Sequence, residues 1–366
     1  MPEQMKKFTV LCPFCKETIS FEIHEEDLES RYSGGLAGIL IPIHGNPPHK
    51  LEVYIDRDGL IRGAYPIIEE GKLKSNLQNS YFIDATSEIT PQEGKAIGVT
   101  VLPFTIVIKG QPEKCYNEEI FFTEIFENLK ADKKVQSKPV SIEAFQDAFT
   151  SAPKDKPIIV LLVSKRYSEG YSNAMKAREF IAKEQPERAK SIHIFNSKTV
   201  GPLLKLMIIN AIAMDEEGKS LEAILDYLQW VSEKHVSYVY VDSLDALRKS
   251  ERVGKVTTFF GNLLGLKPVI IENRNSNGDL KAFTTVRSKE AAMQEIVKAI
   301  KKEYEDQELI GVIFYGIIID DAHRLKELLD TEIGLEQDNL TMDFIGTGVA
   351  IHLSYDVLGI SIYPKK

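Results

Sequence analysis

Apolar residues fall along this chain in short runs parted by polar, turn-forming stretches, and the period of each run predicts its element. Residues 158–163 are six apolar positions without a break, the pattern of a strand buried on both faces of a parallel sheet. The run stops in small polar residues around Gly170, and a helical pattern starts near Ser172. Runs at 81–84, 99–108 and 192–195 predict further strands; Pro103 breaks the second, which favours an edge or a strand end. Ile120, Phe121, Ile125 and Leu129 take helical spacing. So do Ile142, Phe145 and Phe149 behind Ser141, a good amino-terminal cap. Residues 135–140 between them are expected to form a loop. Residues 203–214 and 221–232 predict helices, the second with Leu221, Ile224, Leu225 and Leu228 on one stripe. Strand and helix in alternation imply a parallel sheet covered on both faces.

Near residue 243 the pattern changes. A short charged helix or loop is expected at 244–252, then a strand at 267–271, a polar turn at 275–279 and a returning strand at 280–286, together an antiparallel hairpin. Ser288 caps a helix with Met293, Ile296, Val297 and Ile300 on one face. A buried strand at 309–319, a helix at 322–329 and two strands at 342–353 and 357–363 close the chain. The fold class is therefore α/β: a parallel-sheet first domain over 80–243 and a mixed-sheet second domain over 244–366. Ahead of them, residues 1–70 predict a small β-rich module with a hairpin turning at Asp58-Gly59, and 71–79 is a polar linker.

Composition narrows the function classes. The 366 residues are 43% hydrophobic and 27% charged, as in a soluble globular protein, and the length suits two or three domains. A formal net charge of −9 argues against a nucleic-acid binder, which needs a basic face. No apolar stretch approaches a membrane span, and charges close to the start argue against a signal peptide. Three cysteines make no disulfide framework, so a cytoplasmic location is expected.

Candidate chemistry is sparse. Cys12-Pro13-Phe14-Cys15 is a C-x-x-C knuckle, and His44 and His49 follow as an H-x4-H pair. Two thiolates and two imidazoles suit a tetrahedral zinc ion, which would staple a module too small for a large core. A metal-free ribbon and a redox dithiol are the alternatives for the same residues, and His24 is a substitute ligand. Ser168 falls on the loop after the 158–163 strand, where open α/β sheets bind ligands; the same serine also suits a turn that caps the next helix. There is no phosphate-binding glycine loop and no nucleophile–base pair with a third member, so an enzyme is not expected. His193, His235 and His323 stand alone in regular patterns, and Cys115 is a single thiol.

Several short stretches occur together in an order that resembles the DegV family, fatty-acid-binding proteins with the EDD fold. They are Asp84-Ala85-Thr86-Ser87-Glu88, Val101-Leu102-Pro103, Tyr116, Ser137 with Pro139, the run from Tyr167 to Ala174, Arg252, Lys267-Pro268, Val286-Arg287 and the stretch from Gly346 to Gly359. The resemblance covers about residues 80–366 and leaves the amino-terminal module outside. It implies two α/β domains, a long-chain fatty acid as ligand, its acyl chain buried in the second domain and its carboxylate at the mouth between domains. It also implies a carrier without catalytic machinery, handing the carboxylate to a separate fatty acid kinase. By position, the family's carboxylate-binding residues fall on Ser168, Gln136 with Ser137, Arg287 and His352. A hydroxyl, an amide and a fixed cation are suitable donors for a carboxylate at the end of an apolar tunnel. The alternative function is a regulatory or interaction protein with a repurposed or empty lipid pocket and a metal-binding docking module.

Overall fold

The computed structural model describes residues 5–12, 17–33, 36–45, 49–57, 59, 61–67, 77–116, 122–131, 133–242, 265–273, 278–316, 319–335, 339–353 and 356–366. Arg252 and the expected element at 244–252 lie outside them, as does Cys15.

Two large sheets frame the candidate site, beside a three-stranded one in the order Lys114–Cys115, Thr105–Ile108, Val135–Lys138. The first is four-stranded and parallel, in the order Ile192–Asn196, Ile158–Leu162, Ser80–Asp84, Val99–Leu102. Its central strand Ile158–Leu162 is buried at every position, as its unbroken apolar run requires. Helices start where the sequence supplies caps. Thr90 and Glu93 form a reciprocal capping box with Pro91 in the first turn, and Ser141, Ser220 and Ser288 each accept a backbone N–H from their own helix. The second sheet is six-stranded and mixed, in the order Leu280–Val286, Lys267–Asn273, Val236–Val241, Val357–Pro364, Leu309–Tyr315, Leu340–Phe344. Only its last pair is parallel.

Four expectations need correction. Residues 99–108 form two strands in different sheets, Val99–Leu102 and Thr105–Ile108, because Pro103 cannot donate to a ladder. Val135–Lys138, expected as a loop, is a strand paired with Thr105–Ile108. Strand Val236–Val241 belongs to the second sheet, between Lys267–Asn273 and Val357–Pro364; its six buried positions carry no period that says which sheet it joins. Residues 342–353 are not one strand: Leu340–Phe344 ends before Gly346, and Thr347–Leu353 is a helix of two turns.

One glycine fixes how the second sheet's hairpin meets the first domain. Gly278 has φ +82°, and a Cβ there would lie 2.5 Å from the Ser164 hydroxyl and 3.2 Å from the Lys198 carbonyl. Any side chain would therefore push the hairpin off the loops of the parallel sheet.

The amino-terminal region is β-rich. Strands Met5–Leu11 and Thr18–His24 form one antiparallel pair, and Tyr32–Ser33, Leu36–His44, His49–Asp56 and Ile61–Ile67 form a four-stranded antiparallel sheet. Phe8, Val10, Leu28, Ile39, Leu51 and Val53 share a small apolar cluster between them.

Candidate functional site

The carboxyl ends of the parallel strands face the second sheet across a cavity of about 100 Å³. On the first-domain side, Asp84 organises the wall from behind. Its carboxylate accepts the backbone N–H of Thr86 at 3.0 Å and of Val163 at 2.8 Å, and also the Thr86 hydroxyl. Burial pushes this carboxyl above the usual aspartate range, and the three hydrogen bonds pull it back. Thr86 and Val163 both line the cavity, so Asp84 holds two lining segments in register.

Ser168 lies in the next loop, which Ser164 shapes. The buried Ser164 carbonyl accepts the N–H of Tyr167 at 2.9 Å and of Ser168 at 3.2 Å. The Ser168 hydroxyl oxygen accepts the Gly170 N–H at 3.2 Å, at the start of helix Gly170–Glu184. Accepting one bond leaves the hydroxyl proton for a ligand, so the turn role and a binding role coexist.

Ser137 reaches the cavity because of strand parity. It pairs with the buried Ile106, whereas Gln136 pairs with Val107 and points the other way. His352 reaches it because helix Thr347–Leu353 sets Gly348, Val349, His352 and Leu353 on one face, spaced by three to four residues. The structure thus brings Ser137, Ser168 and His352 to one cavity. It does not bring Gln136 or Arg287 there: both are exposed and neither lines it. Arg287 follows Val286, at the opposite end of its strand from the lining residue Leu280, about 23 Å away at a strand's rise per residue. Among the described lining residues the cation is Lys138, ion-paired with Glu113 and exposed.

The wall of the second sheet combines Val239, Phe314 and Ile345 with a polar group the sequence reading missed. The Tyr167 hydroxyl donates to Glu272, and the Ser237 hydroxyl donates to the other Glu272 oxygen at 3.4 Å. Ser237 and Ser361 hydroxyls are 2.8 Å apart, and His235 Nε2 stands 3.7 Å from the same carboxylate. Burial, then the neighbouring Glu272 carboxylate, holds the Tyr167 phenol well above its usual range, so it stays a donor. Tyr167 was visible in the sequence only as a residue beside Ser168; Glu272 sits in an apolar strand, and only the fold brings the two together.

An ion-pair cluster stands next to the cavity. Lys205 Nζ is 3.4 Å from Glu93 and 3.4 Å from Asp343, all three being buried. Glu88 is beside them, its carboxyl held well above the ordinary glutamate range by burial, against the pull of Lys205. Lys205 and Glu93 come from the first domain and Asp343 from the second sheet, so the cluster ties the two halves. In the amino-terminal module the structure brings Cys12, His44 and His49 together.

These features define a two-domain α/β protein with a ligand cavity between its domains. The family model described as "Uncharacterised protein, DegV family" matches residues 82–365, and the chain belongs to that family. A DegV domain-containing protein of Caldanaerobacter subterraneus is 28% identical over 293 residues, covering 77% of this chain and 97% of its own. A solved structure titled as fatty acid binding of a DegV family protein from Thermus thermophilus has 25% identity and a TM-score of 0.69, covering 79% of this chain and 100% of that one. A stearic-acid-binding protein from Eubacterium ventriosum shares the fold at 21% identity and a TM-score of 0.68, covering 78% of this chain and 98% of that one. Among the described residues no helix is long and apolar enough to cross a membrane.

Proposed function

We propose that the chain is a carrier that binds a long-chain fatty acid in the interdomain cavity, with the carboxylate held by Ser168, Ser137 and His352. The observation that carries this reading is the cavity itself: hydroxyl and imidazole groups on a loop, a strand and a helix end meet an apolar wall of Val163, Val239, Phe314 and Val349. Membership of the family and the Thermus thermophilus fatty-acid-binding neighbour support it. A carboxylate left unpaired in such a wall would cost several kcal/mol, so the polar groups keep the charge at the rim. The tail supplies the affinity, at roughly 0.8 kcal/mol per buried methylene before association costs. The cavity is smaller than the apolar cavity of about 150 Å³ that takes benzene, so a long chain enters only as wall side chains move. Of the lining residues, Leu280 and Leu353 are only half-buried.

In this reading the protein works in the cytoplasm and is no enzyme. Chemistry on the carboxylate belongs to a partner such as a fatty acid kinase, and turnover of ATP by the isolated chain would contradict that division. The test of binding is calorimetric titration of delipidated protein with saturated acids of increasing length. Affinity should rise with each added methylene until the cavity is filled, and Ser168→Ala should lower it about tenfold at every length, the loss of one hydrogen bond to a charged group. Affinity that does not depend on length would refute the tail's role, and an unchanged affinity in Ser168→Ala would remove that serine from the site.

A further inference from the structure

The amino-terminal module is not used by the acyl cavity, and it holds the cluster with the strongest chemical signal outside it. Cys12, His44 and His49 each offer a ligand atom, and these atoms lie within 4.8 Å of one another. Local structure explains why they meet. His44 ends one strand and His49 begins the next, and the two are direct register partners at the mouth of that hairpin. Their rings lie 4.4 Å apart. Cys12 follows the strand Met5–Leu11 in the other sheet, and its N–H donates to the Glu17 carbonyl at 2.9 Å. The Cys12 sulfur is 3.1 Å from His49 Nε2.

The tautomers suit a metal. His44 Nδ1 lies 3.0 Å from the Pro42 carbonyl, so that nitrogen carries the proton. Its Nε2 then bears the lone pair, and it is buried with no hydrogen-bond partner among the described residues. A backbone carbonyl on one ring nitrogen with the other aimed at a metal is the usual arrangement of a ligating histidine. Zinc bond lengths in tetrahedral geometry put ligand atoms about 3.3–3.6 Å apart, so the 3.1 Å sulfur–nitrogen contact opens slightly and the wider separations, within 4.8 Å, close. Thiolate plus imidazole selects zinc over magnesium or calcium.

We propose that Cys12, His44 and His49 bind a structural zinc ion that pins the two-stranded sheet to the four-stranded one. A nucleophilic Cys12–His49 pair fits the same 3.1 Å contact, but Cys12 is 0% exposed, so no substrate reaches its sulfur. The same burial disfavours a redox role. A small apolar cluster holds the two sheets together, which is where a metal staple contributes most.

The experiment uses the full chain purified under reducing conditions. Elemental analysis should find one zinc per chain, falling to less than about a tenth of that in Cys12→Ser and in His49→Ala, while Cys115→Ser keeps it. Cobalt added to the metal-free wild-type chain should give the intense visible bands of a tetrahedral site with a sulfur-to-metal charge-transfer band, a readout that needs no variant to fold. Wild-type chain that takes up neither metal, or zinc retained at full stoichiometry in Cys12→Ser, would overturn the proposal. Fatty-acid affinity is expected to be unchanged in all these variants, so failure here leaves the acyl-binding reading standing.

Discussion

Lys205→Ala should destabilise the protein by about 3–5 kcal/mol at neutral pH, the range for removing one partner of a buried ion pair. Lys205 is 5% exposed and its ammonium is the cation among Glu93, Asp343 and Glu88. Burial alone would pull its pKa down; Asp343 and Glu93 outweigh that and hold it above the usual lysine value. A folded-state pKa raised in this way gives stability that is present below the ordinary lysine value of 10.5 and is lost as pH rises past it. Without the lysine, the carboxylates are left buried and uncompensated. Glu88, already held above 4.5, sets the direction: the variant's penalty shrinks as pH falls toward 4.5 and grows above it. Urea unfolding across this pH range, followed by the fluorescence of the single tryptophan, is the measurement. Trp230 reports on the right place, because its ring N–H donates at 3.0 Å to the Pro364 carbonyl at the end of the second sheet. A penalty independent of pH would mean that packing, not charge, is what the lysine supplies.

Val349→Phe should abolish acyl binding, lowering affinity at least about a hundredfold, while the fold loses only the roughly 1–3 kcal/mol typical of overpacking. Val349 lines the cavity and is 6% exposed. Its Cγ2 would stand 3.0 Å from a Cβ at Gly201, so the backbone of Gly201 already closes one side and a ring at 349 must turn into the acyl path. Calorimetric titration with a long-chain acid, alongside a thermal melt, separates the two effects. Normal affinity in a folded Val349→Phe chain would place the acyl chain elsewhere.

The parts of this architecture that were legible in the sequence are those where local pattern and tertiary role agree. The apolar run at 158–163 is a central strand because nothing else buries every position, and Ser168 follows it onto the ligand-facing loop. Elsewhere the local signal was silent or misleading. Val135–Lys138 is a short, mostly polar strand before a proline; its pairing with Thr105–Ile108 is a tertiary fact. That pairing sets its parity and so selects Ser137 over Gln136 for the cavity, since a shift of one residue turns a side chain to the other face. The helix Thr347–Leu353 is too short, with a glycine and three β-branched residues among its seven, for periodicity to expose it. Arg287 looked suitable as a fixed cation, but which end of its strand meets the cavity is set by pairings that the sequence alone does not orient. The Tyr167–Glu272 contact joins residues 105 positions apart, beyond any local pattern.

A crystal structure of the chain grown with palmitic acid tests the central claim most directly. The account predicts an extended acyl chain between the domains against Val239, Phe314 and Val349, its carboxylate within hydrogen-bonding distance of Ser168 and Ser137. An acid bound outside this cavity, or reversed with its carboxylate beside Glu272, would contradict it.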